Sequence, residues 1–215
     1  MKVLVLTTSC AGDRGVPQRV ARETWVGAWG HLVDHRFVLG KGNSDAKPGE
    51  LIVDAPDDYY GVPFKDHAAW RWAIENGYDY VFQASVDTYV AVPRLLKSGF
   101  EKHDYIGRKC TNGPHASGGA GYWLSRKALD ILVAETPHRN YEDLWVGETL
   151  ASHGIPVFND ERYWAMSYDD PPFQYQVLGA WNWGTISVHL GRGTGLYDPT
   201  WMRDCHRSFL NDTPL

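Results

Sequence analysis

The chain has 215 residues, 43% hydrophobic and 22% charged, so there is apolar surface enough for a packed core and a disordered chain is excluded. Lys plus Arg is 21 and Asp plus Glu is 26, a formal charge of −5 that gives no global signal for nucleic acid or anionic membrane. No stretch nears the roughly 18 apolar residues of a membrane span, and the apolar run after Lys2 is too short for a signal-peptide core. The three cysteines, Cys10, Cys110 and Cys205, are odd in number and lack metal-ligand spacing, which fits a reducing compartment. The expectation is one soluble, cytoplasmic domain over 1–215.

The elements alternate. Val3 to Leu6 reads as a buried strand opening into the polar Thr7-Thr8-Ser9. Pro17 suits the first turn of a helix that Gln18 to Trp25 continues. Strands are predicted at Arg36 to Leu39 and Leu51 to Val53. A helix follows over Lys65 to Asn76, stopped by Gly77. Further strands are predicted at Tyr80 to Ala84, Asp104 to Gly107 and Tyr122 to Leu124. Ser125 caps a helix to Ala134, and Glu142 to Ser152 is another. Pro156 to Phe158 and Thr185 to His189 are late strands, joined by a long loop rich in aromatic residues. The alternation predicts an α/β domain with a mostly parallel central sheet flanked by helices.

Four segments carry chemistry. In QASVDTYV a strand runs into Asp87, where an open α/β sheet binds ligands, although the acid could equally cap the next turn. In HASGGAGYWLS, Gly118 and Gly119 permit close backbone approach or only a turn, and no phosphate-loop ending is present. In NYEDLWVGETL, Glu142 and Asp143 begin a helix and either favour its dipole or present a general base. Adjacent helical residues point about 100° apart, so one of the two is expected to face a cleft. In TISVHLGRGTG, His189 ends a strand as a surface residue or a metal ligand.

In this order the segments resemble glycosyltransferase family 31, the Fringe and core 1 β-1,3-galactosyltransferase group, over nearly the whole chain. RVARETW, FVLG and DDYYGVPFK look like further blocks of that family, with Asp57, Tyr59 and Lys65 in register. The resemblance implies a single GT-A-type nucleotide-sugar-binding domain, and the departure from it in lacking the membrane anchor and cysteine framework of the secretory-pathway members points to a soluble microbial or viral member. It implies an inverting transfer from a nucleotide-diphosphate sugar, UDP-linked by expectation, to a hydroxyl of a glycan or small-molecule acceptor. By the same resemblance Asp87 and His189 bind Mn²⁺ or Mg²⁺, and Asp143 is the general base. Thr8, Ser9, Arg22, Asp57, Lys65, Ser85 and Asp87 are candidates for the donor. Gly118 and Gly119 line the cleft. From their place in the aromatic loop, Trp164, Trp181 and Trp183 are expected on the acceptor side, where sugar C–H faces stack on indole rings.

One departure is Ser85, which stands where the family's triple-acid motif has its first Asp and removes a charge from the metal site. Two rival readings follow: a non-catalytic nucleotide or sugar binder with a GT-A-like fold, and a nucleotidyltransferase, the latter from Gly12, Arg14 and Gly15 after the first strand. The acidic balance disfavours a nucleic-acid acceptor, and a modified nucleobase stays an open alternative.

Overall fold

The computed structural model describes residues 1–43, 45–138, 140–165, 184–191 and 198–212. The strands are β1 (Val3–Thr8), β2 (Asp34–Leu39), β3 (Glu50–Ile52), β4 (Tyr80–Ser85), β5 (Thr88–Val90), β6 (Tyr105–Gly107), β7 (Tyr122–Ser125), β8 (Phe158–Asn159), β9 (Tyr163–Trp164) and β10 (Ser187–His189). The helices are α1 (Pro17–Glu23), α2 (Trp25–Trp29), α3 (Val62–Glu75), α4 (Val92–Leu96), α5 (Arg126–Ala134), α6 (Glu142–Ser152) and α7 (Pro199–Asp212). Seven strands form one sheet in the order β3-β2-β1-β4-β7-β6-β8. Only β7 runs against its neighbours, so the expected mostly parallel α/β sheet is observed. A second, small sheet has the order β5-β10-β9.

The period of two along each strand divides the core into two layers. Val5, Phe37, Leu39, Phe82 and Trp123 face one layer with Val20, Trp25 and Trp29. Leu4, Leu6, Val38, Val81 and Leu124 face the other with Trp70, Leu129, Leu132 and Trp145. Both faces are covered, which is why β1 reads as a continuous apolar run.

The predicted helix caps hold. Ser125 Oγ accepts from Ala128 N at 3.2 Å, and Gly77 stops α3 with φ +75. The aromatic loop is shorter than the sequence implied, because Tyr163–Trp164 pairs with β10 as β9. The strand β5, the short helix α4 and the C-terminal helix α7 are further elements that local pattern did not reveal. Among the described residues no helix is long and apolar enough to cross a membrane.

Candidate active site

The chain order places β1 between β2 and β4, so successive crossovers leave β1 in opposite directions. Ligands bind outside the carboxyl ends of such strands. A cleft of about 690 Å³ opens there, a size suited to a small ligand. Its walls come from Thr8 and Ser9 after β1, Asp57 to Tyr59, Lys65 and Asp66 on α3, Ser85 to Asp87 after β4, Gly118 and Gly119, Asn140 to Asp143, and His189 with Gly191.

The floor is held by buried polar contacts. Thr8 Oγ1 donates to Asp66 Oδ1 at 2.6 Å and accepts from Gln83 Nε2 at 2.7 Å. Lys65, only 1% exposed, donates from Nζ to Ser9 O at 2.7 Å and pairs with Asp57 at 3.5 Å. Asp57 also accepts from Gly40 N, Ala11 N and Asn43 Nδ2 at 2.6, 2.8 and 2.9 Å. Burial opposes ionisation of Asp57, but these donors outweigh it and hold the carboxyl below its ordinary range. Asp57 and Lys65 therefore tie the ends of β1, β2 and α3 together and shape the wall.

Asp87 and His189 meet because β5 pairs antiparallel with β10, which sets His189 opposite Thr88. Asp87 O accepts from Leu190 N at 3.0 Å, and Asp87 Oδ2 lies 3.4 Å from His189 Nε2. Burial works against the Asp87 charge, yet His189, and less so Ser85, lower its pKa. Asp87 Oδ1 is buried and makes no hydrogen bond to any described residue. An orphaned carboxylate oxygen beside an imidazole fits a divalent cation, since both are ligand types for Mn²⁺ and Mg²⁺ chemistry. Among the described residues no group of three or more His, Cys, Asp or Glu side chains is gathered to hold a metal, so the described residues offer the Asp87–His189 pair here.

Two glycines make room for the pair. A Cβ on Gly119 would stand 2.4 Å from His189 Nδ1, and one on Gly191 would stand 1.6 Å from Asp87 Oδ2. Gly118 packs on the other acid: a Cβ there would lie 3.2 Å from Asp143 Cβ. Gly118 N donates to Asp143 Oδ2 at 3.1 Å, and Leu144 N donates to Oδ1 at 2.8 Å. Each carboxylate oxygen keeps a lone pair for a further partner.

Glu142 behaves differently from its neighbour. It is buried under the cleft, where Tyr122 Oη donates to Glu142 Oε1. Both acids line the cleft, whereas helix geometry predicted one; Glu142 does so while only 8% exposed. Burial, with Asp66 and Asp143 adding negative charge, pushes the Glu142 carboxyl well up. Burial likewise pushes Asp66 up to about 7, with Thr8 and Lys65 working against it.

This pair links stability to pH. An acid whose folded pKa is raised binds more protons folded than unfolded, so stability falls as pH rises from the ordinary carboxylate range to about 7. Asp66→Asn is expected to flatten that slope and to stabilise the fold at pH 8 by an amount on the order of 1 kcal/mol or more. Denaturant midpoints at pH 5 and pH 8 check it. Equal wild-type stability at both, with no gain in the variant, would contradict it.

Of the residues expected from sequence, Thr8, Ser9, Asp57, Lys65, Ser85, Asp87, Gly118, Gly119, Asp143 and His189 converge on this cleft. Arg22 does not. It faces a separate depression with Arg14, Arg19 and Lys47, donates to Pro48 O at 2.7 Å, and lies over the Phe37 ring. On α1 it lies over Phe37 of β2 rather than at the carboxyl end of β1. Trp164 is also displaced from its expected place: it is half-buried against the core, because pairing with Val188 turns β9 inward. Trp181 and Trp183 lie outside the described residues. Asp66, Gln83 and Gly191 were missed. The signal for Asp66 was a charge on the buried stripe of α3, at spacing shared with Ala69, Trp70 and Ala73.

An open, mostly parallel α/β sheet with its cleft at the switch point, walled on one side by a small second sheet, defines a GT-A-type fold. No protein-family model matches the chain. Among solved structures it is similar to a glycosyltransferase involved in the glycosylation of the major capsid of PBCV-1, at 13% identity and a TM-score of 0.57, covering 96% of this chain and 100% of that one. It also aligns with A197 from STIV, at 12% identity, a TM-score of 0.45 and coverage of 74% and 82%. An active-site mutant of LgtC aligns at 10% identity, a TM-score of 0.46 and coverage of 97% and 96%. At these identities the likeness to the PBCV-1 enzyme is one of fold.

Proposed function

We propose that the protein is an inverting glycosyltransferase that moves a sugar from a nucleoside-diphosphate sugar, UDP-linked by preference, to a hydroxyl of a glycan or small acceptor. The observation that carries this reading is the convergence of Asp143 and the Asp87–His189 pair on one switch-point cleft. Thr8, Ser9 and Ser85 sit at the ends of adjacent strands, where they offer hydroxyls to the nucleoside. Asp143, oriented by Gly118 N and Leu144 N, takes the proton from the acceptor hydroxyl. The freed oxygen lone pair forms the bond to the anomeric carbon from the face opposite the diphosphate. The old carbon–oxygen bond breaks, and the diphosphate leaves with its electron pair. Asp87 and His189 would hold Mn²⁺ or Mg²⁺, which when bound neutralises charge growing on the leaving diphosphate.

Incubation with a panel of nucleotide sugars, Mn²⁺ and simple glycosides tests the proposal. Release of a nucleoside diphosphate with a new glycoside of inverted anomeric configuration is expected. Pyrophosphate release would point to nucleotidyl transfer, and binding without turnover to a non-catalytic binder; either result overturns the reading.

A further inference from the structure

Five aromatic side chains are exposed among the large hydrophobic residues described: Tyr59, Tyr60, Phe64, Tyr141 and Phe158. Phe158 lies apart and stacks on His103 at 3.8 Å. Three of the other four, Tyr59, Tyr60 and Phe64, come from the segment between Asp57 and Lys65, and the fourth, Tyr141, immediately precedes α6. Tyr59 and Tyr141 line the cleft while remaining 67% and 60% exposed. The Tyr60 ring props Tyr59 edge-on, with centroids 6.0 Å apart. No described tryptophan is exposed: Trp25, Trp29, Trp70, Trp123 and Trp145 are buried, and Trp72, Trp164 and Trp201 are half-buried.

We propose that Tyr59 and Tyr141 form an aromatic clamp for the pyranose ring of the acceptor sugar, at the mouth of the cleft beside Asp143. The proposal rests on the transfer reading given above and names its acceptor subsite. A sugar presents an apolar C–H face and a rim of hydroxyls, and a tyrosine presents a flat ring and one hydroxyl, so the two match in shape and polarity. Position decides for acceptor over donor. Tyr141 stands two residues before Asp143, and Tyr59 is close enough to both Tyr141 and Asp143 to interact electrostatically. The attacking hydroxyl must come within about 3 Å of the base, so the ring that carries it lies among the side chains around Asp143. Burial, then the neighbouring Tyr141 and Asp143, push the Tyr59 phenol up, so it stays protonated at neutral pH and can donate a hydrogen bond.

The test has a binding arm and a kinetic arm. In the first, saturation-transfer NMR is run on the whole protein with methyl glycosides of glucose, galactose, xylose and fucose as probes. Saturation of ring C–H protons is expected for at least one glycoside with wild type and is lost in Tyr59→Ala and Tyr141→Ala. In the second, each alanine variant raises the acceptor KM by about 3–10-fold with a smaller change in kcat, and Tyr→Phe largely rescues it. UDP affinity by calorimetry stays at the wild-type value. No saturation of any glycoside, an unchanged acceptor KM, or a fall in UDP affinity instead, as a nucleobase platform would give, overturns the clamp. If no sugar nucleotide is turned over, the transfer reading fails by itself, and the NMR arm still decides whether these rings hold a sugar.

Discussion

Asp143→Asn is expected to lose about 10²–10⁴ in transfer rate while keeping its fold and its affinity for a nucleoside diphosphate. The amide preserves the shape of the side chain. Its oxygen can still accept from Gly118 N, which lies 3.1 Å from Oδ2 in the native protein, while the amide nitrogen gives up the contact with Leu144 N. What it cannot do is take a proton from an attacking hydroxyl. The loss should therefore fall on kcat and kcat/KM together, as for an interaction made only in the transition state. Glu142→Gln gives the contrast. Glu142 is buried, accepts from Tyr122 and is pushed toward its neutral form, so an amide resembles the state it already favours. That variant should retain most of its activity. A thermal melt and a calorimetric titration with UDP control for folding and binding. Full activity in Asp143→Asn would place the base elsewhere. Equal small losses of stability in both variants, without loss of turnover, would mean that the two acids serve only the helix N-terminus.

Gly191→Ala is expected to weaken metal-dependent binding of the nucleoside diphosphate by about 10–100-fold, although position 191 carries no ligand atom of its own. The native backbone brings its Cα so near Asp87 that a Cβ would sit 1.6 Å from Oδ2 and 3.2 Å from His189 Nε2. Real atoms do not approach so closely, so the Asp87 carboxylate must swing away from His189 or the β10 end must move outward. Either motion breaks the 3.4 Å approach between the two groups. Titration of UDP with and without Mn²⁺ reads the effect directly. The wild type should bind more tightly with the metal, and the variant should lose most of that difference while melting near the wild-type temperature. An unchanged metal-dependent affinity would mean that the Asp87–His189 pair does not hold the cation.

Much of this molecule is legible locally. The apolar run of Leu4 to Leu6, the serine cap of α5, the glycine stop of α3 and the acidic first turn of α6 are short-range signals, and each element forms where its own residues dictate. The placement of Asp87 at the mouth of a strand end follows from the α/β alternation together with that acid's position after β4. Tertiary structure alone decided the rest. The family resemblance anticipated Asp87 and His189 at one site, but their contact is made by the antiparallel ladder between β5 and β10, and no local pattern specifies a pairing between segments so distant in the chain. Arg22 stands in a plausible motif, yet the direction of α1 turns it toward Phe37 and Pro48. Trp164 was expected on the acceptor side of the cleft, and its pairing beside Val188 packs it against the core. Asp66 and Glu142 lie far apart in sequence and share a burial site because α3 and α6 pack on the same face of the sheet. Burial raises both pKa values, and the Asp66 charge adds to the rise at Glu142, effects that depend on packing across the fold rather than on the neighbours of either residue in the chain.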